Sequence, residues 1–200
     1  MAKSSGIQQP VLDALVRDGL REVPHDEALG DGAELESALV TGLRGEVTFA
    51  HVVFLETRIE HADIPVLKAS RARWREVELA SSRIGSADCY ESEWNAVHLI
   101  GCKLGYLNLR GAELEDVRFT DCTIEELDLS QSRVARMAFD GCRIDRLDVQ
   151  HARLQHVDLR GADFAAIDGI ESLRGAVVSA EQLLDLAPLL AGSMGIVVAG

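Results

Sequence analysis

An apolar residue recurs at every fifth position from Phe49 to Phe164, and the beat never slips. All 24 of these central positions are apolar when Ala69 and Cys89 are counted among them, and Trp74 and Trp94 are the bulkiest. The position two residues earlier is always small or apolar, whereas the residue between the two is apolar only at Val53 and Ala138. Hydrophobic residues make up 47% of the chain. At that background, so regular a series would arise by chance about once in 10⁸, so the beat is pattern and not composition. A longer period lies over it. Residues Gly101 to Arg160 write one 20-residue pattern three times, with Cys102, Cys122 and Cys142 in register, and likewise Leu109, Leu129 and Val149.

Side chains two residues apart point the same way in an extended segment, so each five-residue unit aims two side chains inward. Five is odd, and a straight strand would turn the next unit inside out. A bend must therefore restore the phase after every unit. Gly101, Gly111, Gly141 and Gly161 stand two residues after a central position, where such a bend favours a residue free to adopt positive φ. Four units then close one four-sided coil, and successive coils stack through backbone hydrogen bonds about 4.8 Å apart. About six coils are expected, a rod of about 29 Å. Its interior would hold Leu104, Leu109, Leu114, Phe119, Ile124, Leu129, Val134, Phe139, Ile144, Val149, Leu154, Leu159 and Phe164.

The segments GAELE, GADFA, QSRVA, LDLSQ and NLRGA resemble degenerate copies of the A-(D/N)-L-x-x motif of the pentapeptide-repeat family. The resemblance covers residues 47 to about 166, and LRGAVVSAEQLLDL resembles the way such arrays end. It implies an all-β fold, a right-handed quadrilateral parallel β-helix. Val, Leu, Cys or Ser often replaces the family's Ala here, and Arg or Glu its Asp or Asn. The surface chemistry is therefore this chain's own.

Three segments are expected: an N-terminal cap at 1–41, the β-helix at 42–168 and a C-terminal cap at 169–200. A stacked repeat needs caps because its terminal layers otherwise offer strand edges and core to water. Pro10 could open a short helix through Val11, Leu12, Leu15, Val16 and Leu20, which match a 3.6-residue period. Near the other end Ser179 and Gln182 are spaced as a capping box. Leu183, Leu184, Leu186, Leu189 and Leu190 give the following helix an apolar face, which Pro188 bends or breaks. That face would plug the last coil, form a dimer interface with a second copy, or do both on different sides.

The formal net charge of −13 argues against direct nucleic-acid binding and against anionic membranes, since both need a positive surface. No secretory leader or membrane span is legible, and four cysteines without a close-pair motif point to reduced thiols and a cytoplasmic setting. The Cys102–Cys122–Cys142 column reads as small-residue filling, because structural zinc sites draw four ligands from close pairs. Asp88, Asp128, Asp148 and Asp168, with Asn108 among them, form an outward ladder that could meet a partner; the plainer reading is a row of turn-side hydrogen bonds. The six histidines have no companions at triad or metal spacing. A coil whose inward slots are all filled leaves no cleft for catalysis, so no enzyme and no cofactor are expected.

A non-catalytic, rigid scaffold for an unidentified protein partner requires only these features. The alternative is what the resemblance implies for one branch of the family, acidic rods that imitate B-form DNA, bind DNA gyrase and protect it from quinolones or toxins. Residues 42–168 carry 16 basic and 22 acidic side chains, whereas a mimic needs a continuous negative face.

Overall fold

The computed structural model describes residues 6–12, 15, 19–24 and 32–197. Its core is a parallel β-solenoid built from two sheets. Short strands such as Lys103–Asn108 stack in a seven-stranded sheet, and longer ones such as Glu113–Thr120 stack in a ten-stranded sheet. Every pairing is parallel, and within the array the register advances by 20 residues per turn, as in Leu104↔Ile124 and Leu114↔Val134.

One turn shows how the beat becomes a coil. Cys102 and Leu104, Leu107 and Leu109, Ala112 and Leu114, and Val117 and Phe119 all point inward, each no more than 3% exposed. These pairs define four sides, numbered here one to four in chain order. The bends fall two residues after the central positions. His51, Arg71, Glu91 and Gln131 share positive φ with Gly111 at one corner, and Glu56, Glu76, Ala96, Asp116, Arg136 and His156 share it at the next. A third corner takes Gly101 and Gly141 with His61, Ser81 and Asp121. Gly161 differs from the other glycines: its φ is not positive, and a Cβ there would lie 2.1 Å from the Phe139 carbonyl oxygen. Close approach explains it.

The expected count of about six coils falls short. The pairs Glu22↔Leu39, Leu39↔Arg58, Arg58↔Glu78, Glu78↔His98, His98↔Arg118, Arg118↔Ala138, Ala138↔Asp158 and Asp158↔Val177 make eight turns, a rod of about 38 Å. The extra turns escape the beat because they are not 20 residues long, as Arg21↔Ala38 and Asp158↔Val177 show. Arg44 occupies a central slot in the sequence, yet Leu43 is the buried residue there, and the exposed Arg44 makes an isolated backbone β-bridge with Asp63.

Aromatic rings fill two stretches of the interior. Phe54, Trp74 and Trp94 follow one another at 4.5 and 5.6 Å between centroids, and Phe119 stacks on Phe139 at 4.9 Å. From Leu104 to Leu159 the central residues are buried, while Phe164, in the last strand of its sheet, is only partly so. Among the described residues the one α-helix is Ala180–Ser193. Of the helix expected from Pro10 onward, residues 13, 14 and 16–18 lie outside the described residues, and 6–12 are not helical.

Candidate interaction surfaces

Side two carries the Asp ladder. Asp128 accepts the Ser130 N–H at 2.8 Å, and Asp148 that of Gln150 at 2.8 Å; Asn108 takes the Arg110 N–H at 3.1 Å. Each carboxylate or amide thus closes a local turn two residues ahead. Asp88 accepts from the Asn108 side chain at 2.9 Å, and Asp168 from Arg146 at 2.7 Å. Asp128 is only 3% exposed and also accepts from Tyr106 and Arg110. Burial alone would raise its pKa, but the Ser130 and Arg110 hydrogen bonds hold it below the usual carboxylate value. The structure thus brings the four ladder residues onto one side, with their oxygens engaged internally.

Side four carries a feature with no signal in the repeat. Residues 6–12 run along it: Gln9 Nε2 donates to Asp158 at 3.1 Å, the Gln8 N–H to His156 Nδ1 at 3.3 Å, and the Val11 N–H to Asp116 at 2.8 Å. Pro10 is buried against it. A recess of about 420 Å³ lies between Leu12, Leu15 and the coils carrying Glu76, His98 and Arg118. Two arginines lock this side further, Arg136 gripping Asp116 at 2.7 and 2.8 Å and Arg160 gripping Asp158 at 2.6 and 2.8 Å. Arg160 holds the Asp158 carboxyl below its ordinary value, with help from Gln9.

Side three is open. A groove of about 950 Å³ runs along it from the coil of Phe54 to that of Leu154. Its ridges carry charge in blocks along the rod: basic at Arg73 and Arg75, acidic at Glu93, Glu113 and Glu115, and basic again at Arg133 and Arg153. Side one is tightly stacked. A Cβ on Gly105 would lie 2.2 Å from the Gly85 carbonyl oxygen.

The four cysteines are free and buried. Burial pushes the Cys89 thiol up; hydrogen bonding along the column pushes Cys122 up to about 11 and Cys142 up as well, while Cys122 lowers Cys102. Among the described residues no group of three His, Cys, Asp or Glu could hold a metal ion. At the C-terminus Leu186 is buried, whereas Leu183, Leu184 and Leu189 are 49%, 75% and 48% exposed and Leu190 is half-buried.

Residues 72–147 match the sequence profile described as the pentapeptide repeat region. Those residues form a pentapeptide repeat region. The parallel strand ladder extends past the matched stretch on both sides, from Arg21 to Val177. No curated protein matches the chain. Among solved structures, full-length QnrB1, a plasmid-mediated fluoroquinolone resistance protein, is 14% identical over 88% of this chain and 95% of its own, at a TM-score of 0.33. HetL, a pentapeptide repeat protein involved in heterocyst differentiation regulation in the cyanobacterium Nostoc sp. strain PCC 7120, is 15% identical over 80% and 92%, at 0.30. The fold assignment rests on the coil geometry and not on these superpositions.

Proposed function

We propose that this chain is a non-catalytic, rigid rod that binds a protein partner through its outward residues. The observation that carries this reading is the open groove of side three, about 950 Å³, on a scaffold of eight stacked parallel turns. A preformed surface loses little conformational entropy on binding. Affinity capture from cells tests the reading with one charge-reversed variant per side. Loss of the captured protein with variants of one side supports it; capture indifferent to every side overturns it.

A second reading, a DNA-like surface for DNA gyrase, is favoured by the net charge of −13 and by the likeness to a fluoroquinolone resistance protein. Basic residues interrupt each side, for example Lys103, Arg110, Arg73 and Arg118, which is why the scaffold reading ranks first. Inhibition of gyrase supercoiling by micromolar protein would promote the second reading; no inhibition removes it. We also propose that the exposed leucines of helix Ala180–Ser193 seat on a second copy. Leu184→Asp should then convert a sedimenting dimer to monomer, and a wild-type monomer at high concentration would refute it. Four buried free thiols fit a reducing, cytoplasmic setting. No helix among the described residues is long and apolar enough to cross a membrane.

A further inference from the structure

We propose that the side-three groove binds an extended, zwitterionic peptide segment with the charge order acid–x–base–x–x–x–acid. The proposal rests on the scaffold reading and specifies the side used and the chemistry of the partner.

The other sides are engaged. Residues 6–12 cover side four. The carboxylates of side two close their own turns, and side one offers a smaller recess of about 390 Å³ near Pro65 and Gly85. Side three has both depth and charges without partners. Its ion pairs join Arg71 to Glu91, Arg75 to Glu76, Arg133 to Glu113 and Arg136 to Glu115. Arg73, Glu93 and Arg153 are exposed and carry no ion pair among the described residues.

From the coil of Phe54 to that of Leu154 there are five coil spacings, about 24 Å at 4.8 Å each, a length that an extended segment of about seven residues spans.

Charge then sets the spacing. Arg73 and Arg153 are four coils apart, about 19 Å, and six residues of extended chain span about 20 Å. Two acids six apart in a strand point to the same face and reach both arginines. A base two residues after the first acid also points to that face. It falls about 6.6 Å along the groove, between the coils of Glu93 and Glu113 at about 4.8 and 9.6 Å.

The test is a fluorescence titration of the full chain with the peptide TETKTSTET and its reversed sequence TETSTKTET, because a strand can lie either way along the groove. The charge-inverted peptide TKTETSTKT is the comparison. One of the first two is expected to bind at least tenfold more tightly than the inverted peptide, the scale that three exposed charge pairs give. An Arg73→Glu, Arg153→Glu double variant, altered only at exposed positions, should reverse that preference. Equal binding of all three peptides overturns the proposal, as does an unchanged preference in the double variant. Partner capture by that double variant separates the two readings. Undiminished capture refutes side three as the docking side while the rod remains a scaffold; capture lost with this variant alone supports it.

Discussion

The backbone N–H of Val11 donates to the carboxylate of Asp116 at 2.8 Å, across 105 residues of chain. Arg136 holds the same carboxylate from the other side with two bonds, so one buried acid fastens an N-terminal segment to the middle of the rod. Asp116→Ala removes both attachments. The expected cost is about 1–3 kcal/mol, typical of hydrogen bonds to a charged group. Amide exchange of residues 6–12 should accelerate, while that of the interior strands stays slow. Unchanged exchange at Val11 would show that Pro10 and Gln9 hold the segment without Asp116.

Leu129 is 1% exposed and lies within the unbroken run of the beat from Phe49 to Phe164. Leu129→Asp places a carboxylate where no donor faces it, and the loss should exceed about 4 kcal/mol. Because each coil rests on its neighbours, unfolding should spread to adjacent coils. Arg133→Ala, four residues away, removes one exposed ion pair with Glu113 and should shift stability by no more than about 0.5 kcal/mol. Urea denaturation of the two variants checks the inward–outward assignment directly.

The interior was legible because one rule, two inward side chains per five residues, repeats without exception between Phe49 and Phe164. The ends were not. Turns that depart from 20 residues shift the phase, so Arg44 falls on an inward slot while Leu43 fills the space. The surfaces were partly legible. The Asp ladder could be placed on one side, but the burial of Asp128 beneath Tyr106 and Arg110 arises from contacts between coils that no single repeat specifies. The segment bearing Gln8, Gln9 and Val11 carries no beat, and Asp116 and Asp158 look like any outward acids until it lies on them. The groove depends on the stacking of six coils and the order of their charges, which no single repeat contains.

Most corners with positive φ are occupied by residues other than glycine, among them Ala96 at φ 55°. That conformation is strained for any residue with a Cβ. Ala96→Gly should therefore stabilise the rod by about 0.5–1 kcal/mol. Gly111, at φ 66°, makes the reverse experiment: a Cβ there meets only Glu91 Cγ at 3.6 Å, an ordinary contact. Gly111→Ala should cost about 1 kcal/mol through the backbone alone. Thermal melts of the pair should move in opposite directions.

Three carboxyls, Asp116, Asp128 and Asp158, have depressed pKa values. At Asp116 burial opposes the shift, and Arg136 and the Val11 N–H overcome it. A depressed folded pKa contributes stability that is complete above the unfolded value, about 3.9, and is lost as pH falls through the folded one. Acid unfolding should therefore begin below about pH 4, and Asp116→Asn should flatten it. Tyr106 has the opposite sign. Burial, then Asp128, pushes its hydroxyl up to about 12, so its contribution is complete below about pH 10 and declines as pH rises towards 12. Tyr106→Phe should remove that alkaline slope while leaving the acid limb unchanged.

Gln182 joins the helix Ala180–Ser193 to the last coil. Its Oε1 accepts the Ser179 N–H at 2.8 Å, and its own N–H donates to Ser179 Oγ at 3.1 Å, completing the capping box. The same side chain turns Nε2 onto the carbonyl oxygens of Leu159 and Ala162, at 2.8 and 2.7 Å. The Leu159 carbonyl also accepts the Ala162 N–H at 3.0 Å, next to the last strand, Ala176–Val177, that pairs with this coil. Gln182→Glu keeps the acceptor for Ser179 but removes both donors and sets a carboxylate against two carbonyls. Gln182→Ala removes everything. If the two donors matter most, both substitutions should cost about 1–2 kcal/mol and raise amide exchange at the helix N-terminus. If the capping box dominates, Gln182→Glu should retain near wild-type helicity by circular dichroism while Gln182→Ala does not.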